Sequence, residues 1–81
     1  MEIRLKKQAQ KFLDRVDEPT REKLLHALDQ LALLRGDIKP LKGQKDLYRF
    51  KIYHYRIIFE WSKGAIIITV IEINTRTNVK Y

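Results

Sequence analysis

The hydrophobic period of this sequence changes near residue 46 from that of a helix to that of a strand. Before Gly36, apolar residues recur every three or four positions, as on one face of a helix. From Leu47 onward, apolar and polar residues largely alternate, and the composition becomes β-branched and aromatic. A chain with helices first and strands afterwards predicts an α+β fold, so this change limits the fold class more than any other feature.

The N-terminal part of the chain predicts a short strand and two helices. "MEIRL" alternates as a strand does, and the spacing of apolar residues predicts a first helix over Lys6–Val16. A second helix follows to about Arg35, with Asp17 as its N-cap and Gly36 as its C-cap glycine. Because the link between the helices is short, we expect them to form an antiparallel hairpin.

The C-terminal part predicts an antiparallel sheet. "GDIKPLKGQKD" reads as a connector because of its Pro and Gly residues. Three strands should follow, at Leu47–Ile52, Tyr55–Trp61 and Ala65–Asn74, with tight turns at Tyr53-His54 and "SKG". The predicted order is β-α-α-β-β-β, with the helical hairpin on one face of a small, mainly antiparallel β-sheet in a single domain over residues 1–81.

The predicted turns decide which side chains share a face of the sheet. A turn at Tyr53-His54 places Lys51 opposite Arg56, with Arg49 on the same face. The aromatic residues fall on the opposite face, which should lie under the helices. The "SKG" turn assigns Ile67, Ile71 and Ile73 to this buried face, and Ile66, Ile68, Val70, Glu72, Asn74 and Arg76 to the cationic one.

The cationic face predicts a site for an anion. It would hold four cations, Arg49, Lys51, Arg56 and Arg76, but only two acids, Glu60 and Glu72. Like charges opposite each other cost stability, so a cluster without matching acids is typical of an anion-binding site. A solvated edge on which the cations spread apart is the structural alternative.

The net charge supports a polyanionic partner. Residues 39–81 hold nine Lys/Arg and three Asp/Glu and carry most of the formal charge of +7. Such a segregated charge favours nucleic acid or an acidic protein. The chain has no cysteine and only two histidines, which are far apart in the sequence, so we expect no disulfide, metal or cofactor. With neither a signal segment nor an apolar run of membrane length, the expected location is the cytoplasm, with no membrane partner.

The ordered motifs resemble a known superfamily. A basic helical hairpin followed by "PLKG", "LYRFKIYHYRIIFEW" and "IIITVIEINTR" resembles the RelE/ParE superfamily of bacterial toxins from toxin–antitoxin systems, over essentially the whole chain. In the RelE branch, the resemblance implies a ribosome-dependent endoribonuclease that cleaves mRNA in the A site and is masked by a cognate antitoxin. In the ParE branch, it implies a toxin that inhibits DNA gyrase without cleaving RNA. A non-catalytic basic nucleic-acid-binding module is a third hypothesis.

The resemblance also implies roles for individual residues. Arg49 and Lys51 match the basic pair on the strand after "LKG", and Arg56 matches the arginine of the "YR" motif. Arg76 matches an arginine at the end of the last strand, and Tyr81 a tyrosine near the C-terminus of several members, at a spacing about one residue different. The implied catalytic residues are therefore Lys51, Arg56, Arg76 and Tyr81.

Four residues are candidates for RNA binding: Arg49, Lys42, Lys45 and His54. Lys42 and Lys45 lie in the predicted connector, where they would suit phosphate contacts to ribosomal RNA. His54 stands where many relatives have a glycine-containing turn, next to the cationic face. RNA supplies its own nucleophile, the 2′-hydroxyl, so these residue types need to stabilise charge and move protons without a metal.

Overall fold

Five strands and two helices form the described part of the chain, residues 1–75 of this computed structural model. Their bounds are β1 Glu2–Leu5, α1 Lys7–Arg15, α2 Glu18–Ala32, β2 Asp37–Pro40, β3 Leu47–Ile52, β4 Tyr55–Glu60 and β5 Ile67–Thr75. The strands make one sheet in the order β1-β5-β4-β3-β2. β1 is parallel to β5 and every other pair is antiparallel. The predicted α+β class, with helices before a mainly antiparallel sheet, is confirmed.

The start of α2 follows the predicted capping pattern. Asp17 Oδ1 accepts a hydrogen bond of 3.2 Å from the Thr20 backbone N–H, and Pro19 lies in the first turn. A hydrogen bond with the Thr20 side chain, followed by this bond from the Thr20 backbone, lowers the pKa of Asp17. The carboxylate therefore satisfies one of the unpaired N–H groups at the helix N-terminus.

The end of α2 differs from the prediction. The helix ends at Ala32, and Leu34 rather than Gly36 takes the left-handed conformation after the cap, with φ 54°. The Leu34 N–H donates to Leu31 O and the Arg35 N–H to Gln30 O, which is the hydrogen-bond pattern of a Schellman motif. Gly36 is required for a different reason. Its φ is +113°, and a Cβ atom there would lie 2.7 Å from Cε1 of Phe50.

Arg21 of α2 donates hydrogen bonds to backbone carbonyl groups at the C-terminal end of α1. Its Nε donates to Leu13 O at 3.0 Å, and its NH2 donates to Val16 O at 2.9 Å. These carbonyls have no partner within their own helix, and a cation is favourable at the negative end of the helix dipole. The contact joins the two helices across the Val16-Asp17 link.

The core lies between the helices and the face of the sheet predicted to be buried. Phe50, Tyr55, Ile57 and Phe59 are buried there against apolar residues of both helices. Tyr48 stacks on Phe59 with a centroid distance of 5.3 Å, which fits the aromatic packing expected in a core. The prediction that this aromatic face is core, rather than a platform for bases, is confirmed.

Part of the predicted connector is a strand. β2, Asp37–Pro40, pairs with β3 so that Asp37 lies opposite Lys51 and Lys39 opposite Arg49. β2 is at the edge of the sheet, the position in which a proline and a short, charged strand are tolerated. The prediction that these four residues belong to a connector was therefore wrong.

The "SKG" turn predicted Phe59 opposite Ile67 and Ile58 opposite Ile68, and this pairing of the last two strands was also wrong. Glu60 pairs with Thr69 and Ile58 with Glu72, and the register shifts between Ile58 and Phe59. The "SKG" segment does make a turn, in which Ala65 N–H donates to Ser62 O and Gly64 has φ +91°. However, Ala65 does not pair with Trp61 in the sheet, since β5 begins only at Ile67. The Trp61 side chain instead donates from Nε1 to Ala65 O.

Because of the shifted register, the first residues of β5 lie on the opposite face of the sheet from the one predicted. Ile68 and Val70, predicted to lie on the cationic face, are fully buried. Ile67 and Ile71, predicted to be core, are only partly buried, because the bulge changes the alternation along the strand. Ile73 is buried as predicted, and beyond the bulge Glu72 and Asn74 lie on the cationic face.

Candidate nucleic-acid interface

The β3–β4 hairpin has the predicted register. Ile52 pairs with Tyr55 and Lys51 with Arg56, so Tyr53 and His54 form a two-residue turn. Tyr53 has φ +56°, whereas His54 has a negative φ. These are the φ signs of a type II′ turn, in which glycine is the preferred first residue. A non-glycine residue in this conformation costs about 1–2 kcal/mol.

Arg56 is an exposed cation in the middle of this surface. Lys51 lies opposite it on β3 and Asn74 lies opposite it on β5, so neither neighbouring strand places an acid directly against it. Three ion pairs lie within residues 1–75, and none of them includes Arg56. The guanidinium is therefore available to an anion from solvent.

Arg49 is largely buried, with 16% of its side chain exposed. Its NH1 atom is buried without a hydrogen-bond partner among the described residues. The nearest carboxylate oxygen, Oδ2 of Asp37, is 4.0 Å away, which is too far for a hydrogen bond. A buried guanidinium nitrogen without a partner is costly, and such groups are often found where a ligand completes the site.

Asp37 is an acid that the predicted face lacked. It lies opposite Lys51 and beside Arg49, and it belongs to β2, the strand that the sequence analysis read as a connector. The expectation of only two acids on this face is corrected accordingly. In the two rows of residues next to the Tyr53-His54 turn, the face holds four cations, Arg49, Lys51, Arg56 and Lys39 of β2, and two carboxylates, Asp37 and Glu72.

The other predicted site residues fall in three places. His54 is exposed in the hairpin turn, with its ring 4.6 Å from that of Tyr55, and therefore lies at the same end of the sheet as Lys51. Lys42 and Lys45 are exposed in the loop before Leu47. This loop lies at the other end of β3, since Leu47 and Lys51 are separated by about 13 Å of strand. Arg76 and Tyr81 lie outside the described residues.

The chemistry available on this face is that of phosphate recognition. Arg guanidinium groups bind phosphate oxygens in pairs and keep their charge, and a lysine beside them can bind or exchange a proton. The face is formed by regular strands, so their backbone hydrogen bonds hold the Cα atoms of Arg49, Lys51 and Arg56 in place. We find no helix in residues 1–75 with the length and apolar character needed to span a bilayer.

Solved structures of RelE toxins have a similar fold. The archaeal RelE–RelB complex from Pyrococcus horikoshii OT3 aligns with a TM-score of 0.75 and 24% identity, over 96% of this chain and 97% of that chain. The isolated E. coli RelE toxin aligns with a TM-score of 0.75 and 18% identity, over 98% and 87%. The RelB–RelE antitoxin–toxin complex from Methanococcus jannaschii gives 0.70 and 22%, over 94% and 93%. These likenesses place the fold in the RelE-like class.

The family itself follows from the sequence. The model of the family described as the ParE toxin of type II toxin–antitoxin system, parDE, matches residues 3–79. The chain therefore belongs to this family and is a toxin of the RelE/ParE superfamily, as the motifs indicated. A comparison with curated protein sequences finds no match.

Proposed function

We propose that this toxin is a ribosome-dependent endoribonuclease that cleaves mRNA in the A site and thereby inhibits translation in the cytoplasm. The observation that carries the proposal is the direct pairing of Lys51 with Arg56 on an open sheet face, next to the buried Arg49. This arrangement lowers the stability of the free protein, because like charges lie opposite each other. A phosphate bound between the cations would offset that cost.

The proposed reaction needs no metal, because RNA carries its nucleophile. The 2′-oxygen attacks the adjacent phosphorus and loses its proton, the P–O5′ bond breaks, and the 5′-oxygen leaves with the electron pair and takes up a proton. The products are a 2′,3′-cyclic phosphate and a 5′-hydroxyl. In this proposal Arg56 stabilises the charge that develops on the phosphorane oxygens.

The remaining roles are assigned by chemical type. Lys51, beside Arg56, accepts or donates one of the two protons, and Arg49 binds a neighbouring phosphate. We assign Arg76 a second charge-stabilising role and Tyr81 a role in proton transfer or base stacking. Lys42, Lys45 and His54 contribute RNA contacts, the lysines from the far end of the sheet.

Primer extension on translating ribosomes tests the proposal. Purified toxin added to a defined mRNA on translating ribosomes should give new 5′ ends, seen as primer-extension stops, at A-site codons only, and no cuts in the same mRNA without ribosomes. Arg56→Ala protein, checked for an unchanged circular dichroism spectrum, should give none. Uncut mRNA in the presence of folded, wild-type toxin would reject the proposal.

Inhibition of DNA gyrase is the second candidate function. It is favoured by the family match, since the matching family is named for ParE rather than RelE. A supercoiling assay with gyrase and relaxed plasmid, run with the same toxin preparation, separates the candidates. Intact mRNA together with blocked supercoiling would support gyrase as the target.

We propose that a cognate antitoxin covers the cationic face. The solved RelE–RelB structures from Pyrococcus horikoshii and Methanococcus jannaschii are complexes with an antitoxin. The outer face also carries apolar side chains beside the cations, including the partly buried Ile58. An acidic segment with apolar anchors would match both features.

A further inference from the structure

Tyr53 combines a left-handed backbone conformation with an exposed aromatic ring. Its backbone has φ +56°, a conformation in which glycine or asparagine would be relaxed and a tyrosine is strained. Its side chain is not core, since 44% of the residue is exposed. A strained residue that persists with an exposed ring is a candidate for function.

The position of the turn connects Tyr53 with the cationic face. Tyr53 follows Lys51 by two residues, or about 7 Å of strand, and precedes Arg56 by three. The turn therefore forms the end of the sheet at which Arg49, Lys51 and Arg56 gather. If a phosphate of an RNA strand lies between Lys51 and Arg56, the nucleotides on one side of that phosphate would pass the turn that contains Tyr53.

A second cation lies beyond the ring. Nζ of Lys23, on α2, is 5.6 Å from the centroid of the Tyr53 ring. The order along the surface is thus a cation pair on the sheet, an exposed ring at the turn, and a lysine on the helix. Aromatic rings that stack on bases, interleaved with cations that contact phosphates, are the usual means by which proteins bind single-stranded RNA.

We propose that Tyr53 stacks on a nucleobase next to the cleaved bond and that Lys23 binds the phosphate beyond it. This inference rests on the proposed RNA-cleaving function and deepens it, because it extends the site from the sheet face around the hairpin tip. The site then reads the RNA by stacking, which tolerates any base, and not by hydrogen bonds to base edges.

A structural role for the same contact makes a different prediction. If Tyr53 serves only to hold the turn against α2 through Lys23, its loss would affect stability alone. Replacing Tyr53 by glycine removes the ring and relieves the backbone strain, and Tyr53→Asn does the same while keeping a Cβ atom. These two variants should therefore fold at least as well as the wild type while losing the stacking surface.

The experiment measures binding of a nine-nucleotide RNA, 2′-O-methylated throughout so that it has no nucleophile. It carries a fluorescein label for anisotropy, and a second preparation contains 2-aminopurine, whose fluorescence is quenched by stacking. We expect Tyr53→Gly and Tyr53→Asn to weaken binding by about 5- to 100-fold and to lose the 2-aminopurine quenching, as one stacked base predicts. Tyr53→Phe should restore both. Lys23→Ala should weaken binding and reduce its salt dependence, whereas the matched surface change Lys63→Ala should do neither.

The outcomes separate this inference from the function on which it rests. If Arg56→Ala weakens RNA binding but Tyr53→Gly and Tyr53→Asn bind as the wild type does, stacking by Tyr53 is rejected and the RNA site stands. Equal weakening by Tyr53→Phe and Tyr53→Gly also rejects stacking, because phenylalanine keeps the ring. If the wild type does not bind the RNA, or if Arg56→Ala binds it as well as the wild type, this inference is rejected, whereas A-site cleavage on translating ribosomes decides the proposed function separately.

Discussion

The side-chain amide of Gln8 pairs with the backbone of Ile73 in both directions. Ile73 N–H donates to Gln8 Oε1 at 3.0 Å, and Gln8 Nε2 donates to Ile73 O at 3.3 Å. β1 pairs with β5 only as far as Val70, so beyond this point a glutamine from α1 takes the place of a neighbouring strand. The contact holds the end of β5 where Asn74 lies opposite Arg56.

Replacing Gln8 by alanine should therefore destabilise the protein by about 1–3 kcal/mol, because the N–H and C=O of a buried residue lose their partners. Urea denaturation measures the effect. Gln10→Ala is the matched control: Gln10 is exposed on the same helix, and its side chain donates to Asp14, a pair worth about 0.5 kcal/mol or less. Equal losses for the two variants would show that the Gln8 contact is not special.

Arg56→Ala should lower cleavage by at least about a hundredfold, the usual effect of removing a group that stabilises transition-state charge. The same change should leave the melting temperature unchanged or slightly higher, since it removes the like charge opposite Lys51. Cleavage rates on ribosomes and a thermal melt test the two parts. A variant that is less stable and still active would contradict both.

Lys51→Arg separates proton transfer from charge attraction. Arginine keeps the positive charge but does not give up its proton at neutral pH. If Lys51 moves a proton, Lys51→Arg should cleave almost as slowly as Lys51→Ala, and the limb of the pH–rate profile due to this lysine should disappear. Wild-type rates for Lys51→Arg would restrict Lys51 to phosphate binding.

Asp37→Asn should strengthen RNA binding several-fold and steepen its dependence on salt. The change removes the one carboxylate beside Arg49 and Lys51 and leaves both cations for phosphate. Its effect on stability should stay below about 1 kcal/mol, because the pair is long and Asp37 is half exposed. Anisotropy titrations at several salt concentrations provide the measurement, and weaker binding by Asp37→Asn would contradict the expectation.

The cap of α2 predicts how stability depends on pH. Folding lowers the pKa of Asp17, so its contribution to stability is present above its unfolded value of about 4 and is lost as the pH falls through the lower, folded value. Asp17→Asn keeps a capping oxygen but does not titrate. Below about pH 4 the wild type should therefore lose unfolding free energy relative to Asp17→Asn. Urea melts of both proteins at several pH values would measure this loss.

The β3–β4 hairpin was predictable from its sequence, because two residues between alternating segments leave only one register. The cationic pair Lys51 and Arg56 followed from that register. β5 was not predictable in the same way. Residues 65–71 are apolar at nearly every position, so the sequence does not show which side chains face the core. Nothing in the sequence predicts the bulge at Ile58/Phe59 either.

β2 and its contribution to the site were missed for a related reason. Four residues with two charges and a proline do not resemble a strand, and only pairing with β3 makes them one. Asp37 could therefore not be placed beside Arg49 from the sequence. Tyr53 was visible as a poor turn residue, but its contact with Lys23 depends on how α2 lies over the hairpin.

The position of β5 has a consequence for synthesis. It is the last strand described, yet it lies second in the sheet, between β1 and β4, and Glu2 pairs with Ile67, far along the chain. β1 thus waits for its partner until residues 67–70 have been made, and such long-range pairing forms late. We therefore expect the nascent chain to lack the complete sheet, and with it the fixed spacing of Arg49, Lys51 and Arg56, until β5 has emerged from the ribosome.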